Sequence, residues 1–337
     1  MSEPLLEISG LRTSFDTHEG KVRAVDGVDL TVSAGKTLCV VGESGCGKSV
    51  TARSVLRLIE KPGRIEAGTV TWHGDGEPFD VLALDEKDER LQRLRGGDIG
   101  MIFQEPNASL LPLRTIGAQL VEAIMIHTDL GRKDARARAI ELLGMVGIPK
   151  PDERVDAYPF QLSGGMAQRA MIAIALCAEP DLLIADEPTT ALDVTTQARI
   201  LDLIRGLQRD RGMAVMFITH DLGVVAELAD EVAVMYLGRV VERADVDELF
   251  ADPKHPYTRA LLRSVPTLGR SRGRDLPTIP GAVPNPLHRP LGCSFHPRCA
   301  ESVAGRCDAG EPPEAVFDGG RTVQCVLYDE QPEGDRA

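Results

Sequence analysis

Gly42-Glu43-Ser44-Gly45-Cys46-Gly47-Lys48-Ser49 decides how the rest of the chain is read. It fits the phosphate-loop pattern G-x-x-x-x-G-K-[ST] at every fixed position. The preceding run, Lys36-Thr37-Leu38-Cys39-Val40-Val41, predicts a buried strand, and Val50 to Ile59 has apolar residues at helical spacing. The loop therefore stands between strand and helix, the setting this motif needs. Its glycines let successive backbone N–H groups turn inward around phosphate oxygens, and the helix start adds partial positive charge. Lys48 is expected to reach the β- and γ-phosphates of a nucleotide, and Ser49 to ligate Mg²⁺.

The chain of 337 residues exceeds what one compact core usually holds, so two domains, or one domain with an extension, are expected. A hydrophobic content of 43% supports a sizeable core. No apolar run approaches the ~20 residues that span a bilayer, and Met1-Ser2-Glu3-Pro4 lacks the basic and apolar regions of a signal peptide. These features point to the cytosol. The net charge of −13 argues against general coating of DNA or RNA. Seven cysteines in a cytosolic chain suggest thiols or metal ligands before disulfides.

Outward from the loop, Leu5-Leu6-Glu7-Ile8 and Ala24 to Leu30 alternate as strands of an antiparallel sheet. Phe15 falls in their connection, where an aromatic could stack on an adenine ring or fill a hairpin core. A strand is expected around Gly68 to Trp72, a surface helix over Asp85 to Arg95, and a buried strand over Asp98 to Phe103 that ends at Gln104-Glu105-Pro106. Thr115 to about Gly147 reads as a helical insertion. Leu162-Ser163-Gly164-Gly165-Met166 opens a helix predicted to run through Ala178, a second anion-binding helix start.

Leu182-Leu183-Ile184-Ala185-Asp186-Glu187 is an apolar strand ending in two carboxylates, at the edge where doubly wound sheets bind ligands. Asp186 is placed to hold Mg²⁺, directly or through water. Glu187 is placed to orient and deprotonate an attacking water. Ala191-Leu192-Asp193 precedes a helix to about Gln208. The strand Met213 to Thr219 then delivers His220, which could contact a γ-phosphate.

Taken together, these residues resemble the ATP-binding-cassette family over roughly residues 1–250. Gly42 to Ser49 resembles its Walker A motif, Gln104 its Q-loop and Leu162 to Met166 its signature. Leu182 to Glu187 resembles Walker B, Ala191 to Asp193 the D-loop, and His220 the switch histidine. Met166 departs from the commonest signature, which has Gln there. The resemblance implies an α/β P-loop NTPase fold with a RecA-like core, an antiparallel β subdomain, a helical subdomain at about 105–179, and an extension over 251–337 that bears cysteines. It implies ATP bound by Gly42 to Val50 with Phe15 on the adenine, Mg²⁺ held by Ser49, Gln104 and Asp186, and catalysis by Glu187, His220 and Gln104. Two cassettes would dimerise head to tail, with Ser163, Gly164, Gly165 and Met166 touching the partner's ATP and Asp193 at the interface.

Asp252 to Leu262, Pro280 to Pro284 and Gly292 to Cys299 resemble the C-terminal parts of ATPases from bacterial dipeptide, oligopeptide and nickel importers. That resemblance implies separate permease subunits, an external binding protein acting indirectly, and a place at the cytoplasmic face of the plasma membrane. It also favours a heterodimer with a second ATPase, a homodimer being the alternative. Cys293, Cys299, Cys307 and Cys325 cluster in this part without a C-x-x-C pair. Four thiolates could hold [4Fe–4S], which the resemblance favours, or zinc, or no metal. His296 between them is read as a supporting or packing residue, Cys39 and Cys177 as core residues, and Cys46 as a thiol open to alkylation.

A soluble DNA-repair ATPase on the same cassette is a different class of reading. Chromosome-maintenance ATPases interrupt the cassette with long coiled coils, whereas Gly42 to Ser163 shows no sustained heptads. Excision-repair cassettes carry their cysteine modules inside the ATPase, whereas here the four lie beyond His220. Ribosome-associated factors carry two cassettes, and this sequence shows one. No nucleic acid is expected as partner. An importer ATPase, for peptides or for nickel, is the leading expectation.

Overall fold

The structure is a computed structural model that describes residues 3–190, 192–264 and 278–329. The chain opens with a long antiparallel hairpin of β1 (Pro4–Thr17) and β2 (Gly20–Ser33). It then enters the buried strand β3 (Thr37–Val41) and, past the glycine-rich loop, α1 (Lys48–Val55). β4 (Gly63–Trp72) and the short β5 (Phe79–Asp80) return to the hairpin, giving a four-stranded sheet in the order β2-β1-β4-β5. Phe15, expected in the connection, lies on β1 opposite Val22 and Gly63.

Next come α2 (Glu89–Leu94), β6 (Ile99–Ile102), α3 (Pro106–Ser109), α4 (Ile116–His127), α5 (Arg132–Met145), α6 (Pro151–Arg154) and α7 (Gly164–Ala175). The charged stretch expected as a surface helix over Asp85–Arg95 is shorter, because Asp88 caps it by accepting from the Arg90 N–H. It is also anchored, with Leu91 and Leu94 fully buried. α7 ends at Ala175, three residues short of the expected Ala178.

The remaining elements alternate strand and helix: β7 (Leu182–Asp186), α8 (Val194–Arg211), β8 (Ala214–Thr219), α9 (Leu222–Leu228), β9 (Glu231–Tyr236), β10 (Arg239–Asp245), α10 (Val246–Ala251) and α11 (Pro256–Arg263). The last strands are β11 (Glu314–Val316) and β12 (Thr322–Gln324). Caps set the helix limits: Asp193 accepts from the Thr196 N–H at the start of α8, and left-handed Gly212 (φ 72°) ends it.

A second sheet, in the order β11-β12-β10-β9-β3-β8-β7-β6, is the middle layer. From β9 to β6 its pairs are parallel, and those strands are almost wholly apolar because both faces are covered. Alternate residues feed opposite cores. Cys39, Val41, Val215 and Phe217 face the helical layer, while Leu38, Val40, Met216 and Ile218 face α1 and the antiparallel sheet. β12 pairs antiparallel with β10, Glu242 opposite Val323, so the C-terminal segment completes the central sheet. Phe295 from the same segment joins the helical-side core.

Candidate functional site

The parallel strands bring the chemistry to one edge. The phosphate loop follows β3, Gln104 follows β6, Asp186 ends β7 and His220 follows β8. Pairing of Val41 with Thr219, of Asp186 with Ile218 and of Ile102 with Ala185 sets these ends side by side. Because β-pairing in register aligns strand ends, residues scattered over the sequence meet without further adjustment.

The loop itself requires glycine at two places. A Cβ on Gly42 would stand 2.2 Å from the Met235 carbonyl oxygen, and one on left-handed Gly47 (φ 103°) would stand 2.3 Å from that of Ala24. Lys48 is buried and its ammonium donates to the carbonyls of Gly42 (2.7 Å) and Glu43 (3.1 Å), so it lies across the loop's mouth. Cys46 is buried too, and burial pushes its thiol up despite Lys48. Burial shields the thiol that the sequence reads as open to alkylation. Cys39 and Cys177 are core residues as expected, with burial pushing Cys177 up to about 11.

Ser49 donates to Asp186 Oδ1 at 2.9 Å, and Asp186 Oδ2 is buried with no partner among the described residues. Burial raises the Asp186 carboxyl, against the Ser49 bond that lowers it. An unpaired buried carboxylate oxygen is costly, and a divalent cation beside the Ser49 hydroxyl answers that cost. The residues therefore fit Mg²⁺.

Glu187 sits in the left-handed region (φ 47°) while its N–H still donates to the Ile218 carbonyl at 2.9 Å. The strand pairing is thus kept while the chain turns, a strained setting common at functional positions. The carboxylate lies 3.3 Å from His220 Nδ1 and accepts from the Thr190 hydroxyl at 3.2 Å. His220 is 63% exposed, so its ring is free to meet an incoming phosphate.

Ser163 caps α7 by accepting from the Met166 N–H, leaving Gly164 at the helix start. Met166, which departs from the usual Gln, is partly buried against the core. Among the described residues the signature makes no hydrogen bond to the phosphate loop; α7 instead reaches the acidic turn through Gln168, whose amide donates to the Pro188 carbonyl at 2.8 Å. Asp193 caps α8, and Ala191 lies outside the described residues. The half-buried Phe15 ring lies against Gly63, where a Cβ would come within 2.5 Å of it.

The expected iron–sulfur cluster is not shown by the geometry. Among the described residues no three His, Cys, Asp or Glu side chains stand together as a metal-holding group, and this applies equally to zinc. All seven cysteines are free thiols. Cys293, Cys299, Cys307 and Cys325 do line one small cavity, beside His255 and Phe295. Burial raises the thiols of Cys293 and Cys299 and takes Cys325 up to about 11. His296 bonds the Cys293 carbonyl through Nδ1 at 2.9 Å.

Three residues without an expected role touch these sites. His255, wholly buried and pushed down to about 3 by burial, leaves Nε2 unpartnered at the cysteine cavity. Tyr257 and Arg298 both reach the phosphate loop. Their only sequence signal was membership of the C-terminal runs Asp252 to Leu262 and Gly292 to Cys299.

With this geometry in place, the chain matches the family described as ABC transporter over residues 25–190 and that described as oligopeptide/dipeptide transporter, C-terminal region, over residues 241–307. It is 46% identical over 328 residues to the oligopeptide transport ATP-binding protein AppD of Bacillus subtilis, covering 97% of this chain and 98% of that one. It is 46% identical over 330 residues to the oligopeptide transport ATP-binding protein OppD of the same organism, covering 98% and 90%. Among solved structures it is similar to the dimeric ATP-binding cassette MJ0796 in a post-hydrolysis state with ADP and Pi. There the identity is 27% and the TM-score 0.64, over 72% of this chain and 98% of that one.

Proposed function

On the premise that this chain belongs to the ABC transporter family, in its oligopeptide and dipeptide branch, we propose that it is the ATP-hydrolysing subunit that drives peptide import through separate permease subunits. The observation that carries this reading is the meeting of Ser49, Asp186, Glu187 and His220 at one sheet edge, in a chain similar over nearly its whole length to oligopeptide transport ATP-binding proteins. Nickel import and DNA repair are not favoured, since the names of those relatives specify oligopeptides.

The chemistry follows from the side chains. The loop N–H groups and Lys48 hold the β- and γ-phosphates. Ser49, Asp186 and Gln104 would hold Mg²⁺, which when bound would supply charge neutralisation for the transferred phosphoryl group. Glu187 takes the proton of the attacking water, and His220 meets the γ-phosphate from the neighbouring strand. Phe15 supports the adenine. Ser163, Gly164, Gly165 and Met166, exposed or half-buried at the start of α7, face the ATP of a second cassette, with Asp193 at that interface. The cassette spans 1–250, with its helical subdomain at about 105–179, and the extension 251–337. Among the described residues no helix is long and apolar enough to cross a membrane. In our reading the chain is a peripheral subunit at the cytoplasmic face, paired with a distinct second ATPase.

The test is transport. In vesicles holding the permeases, the partner ATPase and this chain, a labelled oligopeptide is expected to accumulate only with ATP. Nickel accumulation without peptide would replace this reading.

We propose also that the four clustered thiols hold [4Fe–4S], zinc being the alternative. Their shared cavity and soft donor set support it, and a four-iron cube spans a wider set of sulfurs than one ion does. Protein purified without oxygen is expected to be brown, with about four irons and matching sulfide per chain. Stoichiometric zinc, or no metal, would reject the cluster and leave the ATPase intact.

A further inference from the structure

Glu43 is the second residue of the phosphate loop and puts a carboxylate into a segment built to take a polyanion. That carboxylate is not left free. Arg298 grips it with both arms, Nη1 to Oε2 at 2.6 Å and Nη2 to Oε1 at 3.1 Å. The Arg298 side chain is 5% exposed and that of Glu43 25%. Arg298 also donates to the Tyr236 hydroxyl (3.2 Å) and to the Pro280 carbonyl (3.0 Å), so its fork is held from three sides. The Glu43 carboxylate beside it raises the guanidinium further. On the same loop residue, the backbone N–H donates to the Tyr257 hydroxyl at 2.9 Å. Tyr257 is fully buried and packs with Tyr236 and Phe295, ring centroids 4.7 and 5.3 Å away.

These contacts join the nucleotide loop to a segment some 255 residues away in sequence. We infer that Arg298, carried between two of the clustered cysteines, is a positioning residue of the nucleotide site: it neutralises and orients the Glu43 carboxylate so that the phosphate loop can accept a triphosphate. A bidentate pair whose arginine is buried is held in one geometry, and removing one partner leaves a charge without compensation. Without Arg298 the free carboxylate would oppose the phosphates electrostatically and compete for Lys48. The C-terminal segment is on this account a part of the ATP site. The inference rests on the nucleotide-site reading above.

The experiment measures ATP affinity by equilibrium titration, together with KM and kcat, in the full chain and in three variants. Arg298→Gln is expected to raise KM and Kd for ATP about tenfold while kcat changes little. Arg298→Lys keeps the charge without the fork and is expected to fall between that variant and the native protein. Adding Glu43→Gln to Arg298→Gln is expected to recover most of the lost affinity, because the opposing charge is gone. A merely structural role would not predict that recovery. The effect of Arg298→Gln should also shrink as salt is raised. An unchanged KM in Arg298→Gln, or no recovery in the double variant, overturns the inference. Should Arg298→Gln fail to fold, Arg298→Lys decides, a rise in KM of tenfold or more counting against it. If the native chain itself bound no ATP, the nucleotide-site reading would fall instead.

Discussion

Glu187→Gln is expected to bind ATP at near-native affinity and to hydrolyse it about 10²–10⁴-fold more slowly. The substitution is isosteric. It retains an oxygen that can accept from the Thr190 hydroxyl and leaves the N–H bond to Ile218 untouched, so the left-handed turn after β7 should persist. What it removes is the carboxylate that stands 3.3 Å from His220 and serves as base toward water. Binding depends on other groups, chiefly the loop N–H groups, Lys48 and the Ser49–Asp186 pair. A filter-binding assay with Mg-ATP, beside phosphate release under the same conditions, separates the two quantities. Native turnover in this variant would mean that another base abstracts the proton. Loss of binding without loss of kcat would mean that Glu187 supports the phosphates.

Lys48→Ala is expected to lose nucleotide affinity and hydrolysis together, each by about 10²-fold or more. The side chain is buried and carries the loop's own positive charge. Its ammonium also bonds the carbonyls of Gly42 and Glu43, and its removal frees those oxygens to point at the phosphates. Both effects act in one direction. Titration with a fluorescent ATP analogue, paired with thermal melting to show that β3 and α1 remain folded, reads the outcome. Retained affinity at native levels would contradict the role given to the phosphate loop.

The two variants separate because their groups occupy different places in one frame. Lys48 begins α1 after β3, whereas Glu187 follows β7 two strands away, with β8 between them. That placement was legible in the sequence because each motif ends an apolar strand, and strands of this kind line up in parallel. Helix limits were less legible. The Asp85–Arg95 charges concealed two fully buried leucines, and Asp88 capped the helix later than charge pattern suggested. Phe15 sat on a strand because the first hairpin is longer than its alternation showed.

The phosphate loop, the paired acids, the signature, several of the strands and helices, and hence the family could be read from the residues alone. Each of these is a local pattern: a glycine spacing, a period of two or 3.6, a cap, an apolar run closed by carboxylates. Packing of the whole chain brings β12 beside β10 and sets His255 at the cysteine cavity. It alone decided that Arg298 holds Glu43. Those contacts join segments that share no periodicity and no fixed spacing. They are selected when burial leaves a charge or a polar atom in need of a partner, a condition that arises only after the chain has packed.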